Sequence, residues 1–227
     1  MKSKLNSFNP YDYTNEQLWC LGLSAISVQV NGQRHDILRH DDPEAYRKIL
    51  SAWWDITNAQ EYRETIDWLR DGGGRNVFNQ DWGYFLTLHP ENISGLLDNL
   101  RDKDPKQHAR FKTIRHYRDV IDGCGIVAWD IARATFLARM ALTAGYIEED
   151  EAWQTVMGYG VIARRVFENW FQFAHSFLIG RQYSMSNLDD DTGRNYLRAA
   201  QHLLTHSESL WVRFPEFENQ NRELVNH

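Results

Sequence analysis

The segment from Gly123 to Tyr146 limits the possible folds more than any other part of the chain, because it is the most apolar stretch of its length. Gly123 and Gly125 interrupt the segment before it, and Gly145 can adopt the left-handed conformation that commonly ends a helix. A helix that is apolar on most of its circumference belongs in a core. The sequence therefore predicts an all-α fold, with one multi-helix globular domain around a buried central helix and little or no sheet.

Two charged residues interrupt the apolar surface of this predicted helix. Asp130 and Arg133 are three positions apart, so they are neighbours on a face that also carries Ile126, Leu137 and Met140. A carboxylate on such a face needs a partner or a raised pKa. One interpretation is an ion pair that fixes the register of packed helices, and the other is a binding or catalytic pair at the bottom of a cleft. Structural ion pairs are common, which favours the first interpretation.

Three further arginines are candidates for the same polar cluster. Arg164 would lie near the level of Asp130 if the helices on either side of Gly145 form an antiparallel hairpin. Arg181 and Arg75 could help such a cluster to clamp an anionic group. The packing anchors that we expect are three tryptophans and two glycines: Trp129, Trp153, Trp170, Gly145 and Gly180.

Composition limits the classes of protein to consider. The chain has 227 residues, a net charge of −6 and two cysteines, with a pI near 5.8. This length suits one domain over 1–227, and the acidic balance argues against a nucleic-acid partner. The cysteine count suits a reducing cytoplasm. The N-terminus lacks the apolar core of a secretory signal and no apolar stretch is long enough to span a membrane, so we expect a cytoplasmic protein.

Local signals predict where several helices begin and end. Capping boxes occur at Thr14 with Gln17 and at Thr57 with Gln60. Helix starts with an aspartate before a proline or within an acidic run are predicted at Asp42, Asp104 and 189–191. Gly72 to Gly74 follow a helical pattern and no P-loop lysine comes after them, which predicts a helix stop rather than a phosphate cradle.

Three segments have weaker signals. Residues 28–38 contain an Asn-Gly pair that could form a hairpin, although a helix followed by a loop is favoured. The ends of the chain, 1–13 and 212–227, are predicted to be irregular tails. The polar run 102–120 is basic and aromatic enough to suggest a phosphate-facing surface, but in an acidic chain a solvated helix face is the favoured interpretation.

Metal, cofactor and nucleophile motifs are weak throughout the sequence. The His and Asp residues between His35 and Asp42 fit no structural zinc spacing, and His202 with His206 lacks a third ligand. There is no GxSxG motif, paired CxxC or Rossmann glycine fingerprint. We therefore expect no metal and no cofactor, and no catalytic residue is assigned.

The central helix and the segment after it resemble a bacterial family of unknown function, numbered 1266 and called the YbeU/YbeR-like proteins. The resemblance covers about 125–185 and is looser over 53–75. It rests on a WDxxR helix, a Gly-Tyr turn, an acidic opening with a tryptophan, and a Gly-Arg close: Trp129, Asp130, Arg133, Gly145, Tyr146, Trp153, Trp170, Gly180 and Arg181. The aromatic residue expected after the close is shifted to Tyr183. The resemblance implies a bacterial, cytoplasmic protein and implies no activity.

Two functions follow as hypotheses. The first is a non-enzymatic interaction protein, an accessory, adaptor or immunity-type protein that binds a protein partner or a second copy of itself. This hypothesis is favoured by the acidic charge of the chain, by its many aromatic residues and by the lack of a catalytic motif. The alternative is an enzyme or a small-anion-binding protein that uses the Asp/Arg cluster.

Overall fold

A computed structural model describes residues 7–186 and 191–217, and within these ranges the chain forms helices and no strand. The α-helices are α1 (Asn15–Leu21), α2 (Ala25–Val30), α3 (Pro43–Trp54), α4 (Ala59–Arg70), α5 (Arg75–Leu86), α6 (Pro90–Lys103), α7 (Pro105–Tyr117), α8 (Val127–Ala144), α9 (Glu149–Val166), α10 (Trp170–Met185), α11 (Asp191–Thr205) and α12 (Leu210–Arg213). A short 3₁₀ turn joins α1 to α2. The predicted all-α fold class is confirmed.

Side-chain caps fix several helix starts as the sequence predicts. The hydroxyl of Thr14 accepts from the backbone N–H of Gln17 at 3.2 Å, and the Gln17 side chain accepts from the Thr14 N–H at 2.9 Å. The carboxylates of Asp42 and Asp104 cap α3 and α7, each with proline at the first helical position. The chain leaves α2 at Val30 and enters a loop, so the helix-then-loop prediction for 28–38 is confirmed.

Other local predictions need correction or fall outside the described residues. The N-cap of α4 is Asn58, not Thr57, because the Asn58 side chain accepts from the N–H groups of Gln60 and Glu61. Thr57 instead donates its N–H and hydroxyl to the Glu61 carboxylate. The C-terminal segment predicted to be irregular begins inside α12, and the cap at 189–190 lies outside the described residues.

The helix α8 is the centre of the domain. Nearly all of its residues from Ala128 to Ala144 are buried, and α3, α4, α9 and α10 pack around it. At its end Gly145 has a φ of +79°, as the sequence predicts. Within the ranges that the structure covers, no helix combines the length and the apolar character needed to cross a membrane.

Four of the expected packing anchors make contacts between distant parts of the chain: Trp129, Trp153, Trp170 and Gly180. Gly180 lets α10 approach α8 so closely that a Cβ there would clash with the Cβ of Trp129. Trp170 stacks on Trp211 with ring centroids 5.0 Å apart, and the half-buried Trp153 packs edge-on against Tyr13 at 5.0 Å. A second apolar cluster, built mainly by α5, α6 and α7, lies against α10.

Candidate functional site: the Asp130 cluster

The turn between α4 and α5 carries the glycine triplet and lies against α8. Gly72 and Gly73 have φ values of +130° and +45°, which L-residues with a Cβ rarely adopt. The Gly73 N–H donates to the carbonyl of Trp68 at 2.9 Å, so the turn closes the end of α4. The predicted helix stop is confirmed. The turn also opens α5, which begins immediately after Gly74.

Asp130 is fully buried on α8 and faces this turn. Its Oδ2 atom accepts from Nη1 of Arg75 at 3.1 Å and from the Arg75 backbone N–H at 3.4 Å, and its Oδ1 atom accepts from Nη2 of Arg133. Gly74, the N-cap of α5, has no side chain to cap the helix. The carboxylate from α8 therefore supplies the acceptor and the negative charge that favour a helix start. We call Asp130, Arg75, Arg133 and the turn 72–74 the Asp130 cluster.

Arg75 joins three elements through one guanidinium. Besides its contact with Asp130, its Nη1 atom donates to the carbonyl of Leu69 at 3.0 Å and its Nη2 atom donates to that of Arg70 at 2.8 Å. These carbonyls belong to the last turn of α4, whose acceptors have no partner within the helix. Arg75 thus caps α4, begins α5 and binds α8.

Arg133 lies among three indole rings. Its guanidinium carbon is 5.0 Å from the ring centroid of Trp129, 5.5 Å from that of Trp54 and 5.6 Å from that of Trp68, which come from α8, α3 and α4. Burial lowers the pKa of Arg133, and the nearby Asp130 opposes that shift. Aromatic faces attract a guanidinium, so the rings and the carboxylate together compensate part of its lost hydration. Nε of Arg133 and Nε1 of Trp129 are buried without a hydrogen-bond partner among the described residues.

The structure brings Arg75 and Arg133 to Asp130 but not the other two predicted arginines. The Arg164 guanidinium lies 4.3 Å from the ring centroid of Trp19 on α1. The reason is the orientation of α9: Gly160, one turn earlier on the same face, packs so closely on α1 that a Cβ would lie 2.5 Å from Sγ of Cys20. Arg181 lies 4.6 Å from the ring centroid of Tyr196 on α11, because its neighbour Gly180 occupies the face of α10 that meets α8.

Sequence reasoning missed a second buried cation on α8. Arg139 is fully buried, and it donates from Nη1 to the hydroxyl of Ser24 at 2.9 Å and from Nη2 to the carbonyl of His35 at 2.8 Å and to that of Ile37. Burial lowers the pKa of Arg139 to about 10. Its hydrogen bonds attach the loop after α2 to the central helix. The signal that identified Asp130, a charge on a buried helix, applies equally to Arg139.

The hydrogen bonds of the Asp130 cluster connect α8 to the end of α4 and to the start of α5. Both carboxylate oxygens accept from arginines, and Arg75 also donates to two backbone carbonyls. A metal cation would be repelled by the positive charges of the Arg75 and Arg133 guanidinium groups. Among the residues that the structure describes, no group of three or more His, Cys, Asp or Glu side chains is placed to hold a metal ion.

The fold and this cluster define a class of protein. It is an all-helical domain in which arginines bind the aspartate of a central WDxxR helix at the glycine turn 72–74. The chain belongs to the family described as a protein of unknown function, DUF1266, whose model matches residues 49–215. That range contains every member of the Asp130 cluster, so the resemblance found over 125–185 is confirmed and extends well beyond it.

Two curated relatives come from Escherichia coli strain K12, and both are described as uncharacterized. The chain is 26% identical to YbeU over 159 residues and 26% identical to YbeR over 155 residues. The matches cover 67% and 66% of this chain and 65% of each relative, so the chain spans slightly less than two thirds of their length. No solved structure matches the chain.

Proposed function

We propose that this protein acts by binding a partner protein in the bacterial cytoplasm, as an accessory, adaptor or immunity-type protein, and not by catalysis. The buried Asp130 cluster supports a structural role for its own charges, because Asp130 is fully buried and accepts from both arginines. The hypothesis of catalysis or small-anion binding at this cluster therefore has less support. Binding requires an exposed surface elsewhere.

The observation that carries the proposal is the exposure of two indoles near the cluster. The exposed fraction is 80% for Trp53 and 49% for Trp68. Trp53 adjoins Trp54, whose ring lies 5.5 Å from the Arg133 guanidinium, and the Trp68 ring lies 5.6 Å from the same guanidinium, so both indoles belong to the end of the domain near Arg133. Ile49 lies one turn before Trp53 on α3. Tryptophan contributes strongly to protein interfaces, and large exposed apolar side chains in one region often mark an interaction site. The inner side of Trp68 lies near the Arg133 guanidinium, which restrains its ring. We call Ile49, Trp53 and Trp68 the aromatic corner.

The charge beside the aromatic corner indicates the chemistry of the partner. A depression of about 260 Å³ is lined by Asp55, Glu61, Glu64, Thr65 and Trp68. Hydrogen bonds from the N–H and hydroxyl of Thr57 lower the pKa of Glu61, which keeps that carboxylate charged. A lysine or arginine can pair with these carboxylates and lie on the indole face. The proposed partner therefore presents a basic segment.

An array of lysine- and arginine-containing peptides tests this proposal. Wild-type protein should bind a subset of them, and Trp53→Ala or Glu61→Gln/Glu64→Gln should weaken that binding roughly tenfold, as expected for an interface anchor. Phe171→Ala is the matched control, because Phe171 is 58% exposed and lies on α10. Equal peptide binding by the wild type, Trp53→Ala and Glu61→Gln/Glu64→Gln would contradict the proposal.

A second copy of the chain is the competing occupant of the aromatic corner. Light scattering at several concentrations distinguishes the two cases. A monomer that binds basic peptides through Trp53 supports the proposal. A dimer that Trp53→Ala dissociates would instead assign the surface to self-association.

A further inference from the structure

The helical hairpin of α6 and α7 encloses a positively charged groove. This part of the sequence is separate from the Asp130 cluster and from the aromatic corner. The two helices are joined through the single residue Asp104. Between them lies a groove of about 750 Å³, lined by Ser94, Leu97, Asp98, Arg101, His108, Lys112, Arg115 and His116. None of these residues belongs to the Asp130 cluster or the aromatic corner.

The positive charge of this groove is concentrated on α7. Pro105–Tyr117 contains four lysines and arginines, two histidines and no acidic residue, in a chain whose net charge is −6. Lys112 and Arg115 face the groove and make no ion pair with any carboxylate of the described residues. Like charges that converge without a counter-ion repel one another, and a bound anion would relieve that repulsion.

The described lining of the groove contains a single carboxylate, and it does not balance the cations. Asp98 accepts from Nη2 of Arg101 at 2.7 Å, but the two side chains are 67% and 63% exposed. Exposed pairs of this kind are weak, so Arg101 can exchange Asp98 for a stronger acceptor. The groove thus offers Arg101 from α6 and Lys112 and Arg115 from α7 to one ligand.

The opposite side of α7 explains why these cations are not needed for folding. Phe111 and Ile114 are buried and pack in the second apolar cluster. The groove-lining residues Lys112 and Arg115 are exposed on the other side. Leu97 of α6 lines the groove and is itself buried in the second apolar cluster. Changes to the cations should therefore alter binding without unfolding the domain.

We propose that this groove binds a small ligand that carries two or more phosphate groups. Arginine forks match phosphate oxygens and lysine adds a point charge, so cations from two helices suit adjacent phosphates. The volume lies within the range of small-molecule sites. The acidic charge of the whole chain disfavours a long nucleic-acid backbone, which selects a compact anion. This inference goes beyond the proposed function, since it assigns a second ligand to a different surface.

Calorimetric titration with inorganic tripolyphosphate at low salt tests the groove. The wild type should bind it, and Lys112→Ala/Arg115→Ala should weaken binding by roughly tenfold or more, because two charge-assisted contacts are lost. Arg118→Ala is the matched control: Arg118 follows α7, is exposed and is paired with Asp119 at 3.3 Å. Its affinity should stay within about twofold of the wild type. Circular dichroism melts establish that each variant is folded.

Three results of the tripolyphosphate titration would overturn the proposal. The first is that the wild type does not bind tripolyphosphate at millimolar concentration. The second is that Arg118→Ala weakens binding as much as Lys112→Ala/Arg115→Ala does. The third is that Lys112→Ala/Arg115→Ala binds as tightly as the wild type. A parallel titration with a nucleoside triphosphate identifies the source of the phosphates: tighter binding indicates a nucleotide, and equal binding indicates recognition of phosphates alone. A single-stranded oligonucleotide that binds more tightly than both would also contradict a compact ligand.

Discussion

A Cβ atom on Gly73 would lie 2.9 Å from Oδ2 of Asp130, closer than real Cβ contacts are found. The same glycine has a φ of +45°. Two independent requirements therefore select glycine at this position: the backbone conformation of the turn and the approach of a buried carboxylate. The turn and the WDxxR helix form one structural unit although more than fifty residues separate them in sequence.

Gly73→Ala should destabilise the domain more than the φ value alone explains. A left-handed conformation costs an alanine about 1 kcal/mol. Displacement of the Asp130 carboxylate should add roughly 1–3 kcal/mol, the usual cost of overpacking. Gly32→Ala is the matched control, because Gly32 has a φ of +66° and a methyl group at that position would meet no atom within 4 Å. Urea denaturation measures both, and equal losses would contradict the contact with Asp130.

Gly180→Ala should also be destabilising, for a different reason. Gly180 lies within α10, where alanine is normally favoured by about 1 kcal/mol. The added methyl would clash with Cβ of Trp129 and lie 3.1 Å from Cβ of Ile126, so α10 would be forced away from α8. We expect a net loss of roughly 1–3 kcal/mol. Gly158→Ala on α9, where nothing lies within 4 Å, should be neutral or stabilising in the same thermal melts.

Acid should weaken the fold through two imidazoles, the buried His40 and the partly buried His35. Burial lowers the pKa of His35 to about 4, and burial with a smaller contribution from Arg139 lowers that of His40 to about 3. An unfolded histidine titrates near about 6.5. Below that pH the unfolded chain binds more protons than the folded chain, so stability falls as the pH drops from about 6.5 toward 4. Above pH 7 both states are neutral at these positions, and no stability is lost.

His40→Gln should reduce this acid sensitivity. The glutamine cannot be protonated, and the hydrogen bond from the residue 40 N–H to Thr143 uses the backbone. Between pH 7.5 and pH 4.5 the wild type should lose roughly 2–3 kcal/mol more than the variant in urea denaturation. His89→Gln is the control, since the His89 side chain is 68% exposed. A wild type and a His40 variant with the same pH dependence would contradict a buried neutral His40.

Local chemistry explains which parts of the fold could be predicted from the sequence. The caps at Thr14, Asp42 and Asp104 and the left-handed Gly145 depend on residues within one helical turn, so their patterns are sufficient. The buried central helix follows from an apolar composition that few other structures tolerate. The burial of Asp130 followed from its apolar neighbours on that helix.

The partners of the charges depend on packing, which local patterns do not specify. Arg164 was expected near Asp130 because an antiparallel hairpin of α8 and α9 would place the two residues at the same height. Instead, the face of α9 that carries Gly160 and Arg164 packs against α1. The partner from outside the helix is Arg75, which the glycine turn brings to Asp130. The sequence therefore predicted a cluster of the right type and identified Arg75 and Arg133 among its candidates, while the orientation of α9 and α10 excluded Arg164 and Arg181.

The position of Asp130 between two arginines makes a prediction about unfolding. Asp130→Ala leaves Arg133, whose side chain is only 15% exposed, without its carboxylate and removes the acceptor at the start of α5. The substitution should therefore cost about 3–5 kcal/mol. Asp67→Ala is the matched control, because Asp67 pairs with Arg70 on the surface and is 57% exposed. That exposed pair should contribute less than about 1 kcal/mol. A double change, Asp130→Leu/Arg133→Met, should recover much of the loss, because Arg75 keeps its two carbonyl acceptors.

Thermal melts of the wild type, Asp130→Ala, Asp67→Ala and the double variant measure these effects side by side. If the Asp130 cluster is a buried cross-link, Asp130→Ala melts far below the other three proteins and the double variant melts closer to the wild type than Asp130→Ala does. If Asp130→Ala melts within a degree or two of the wild type, Asp130 does not hold the central helix to the glycine turn.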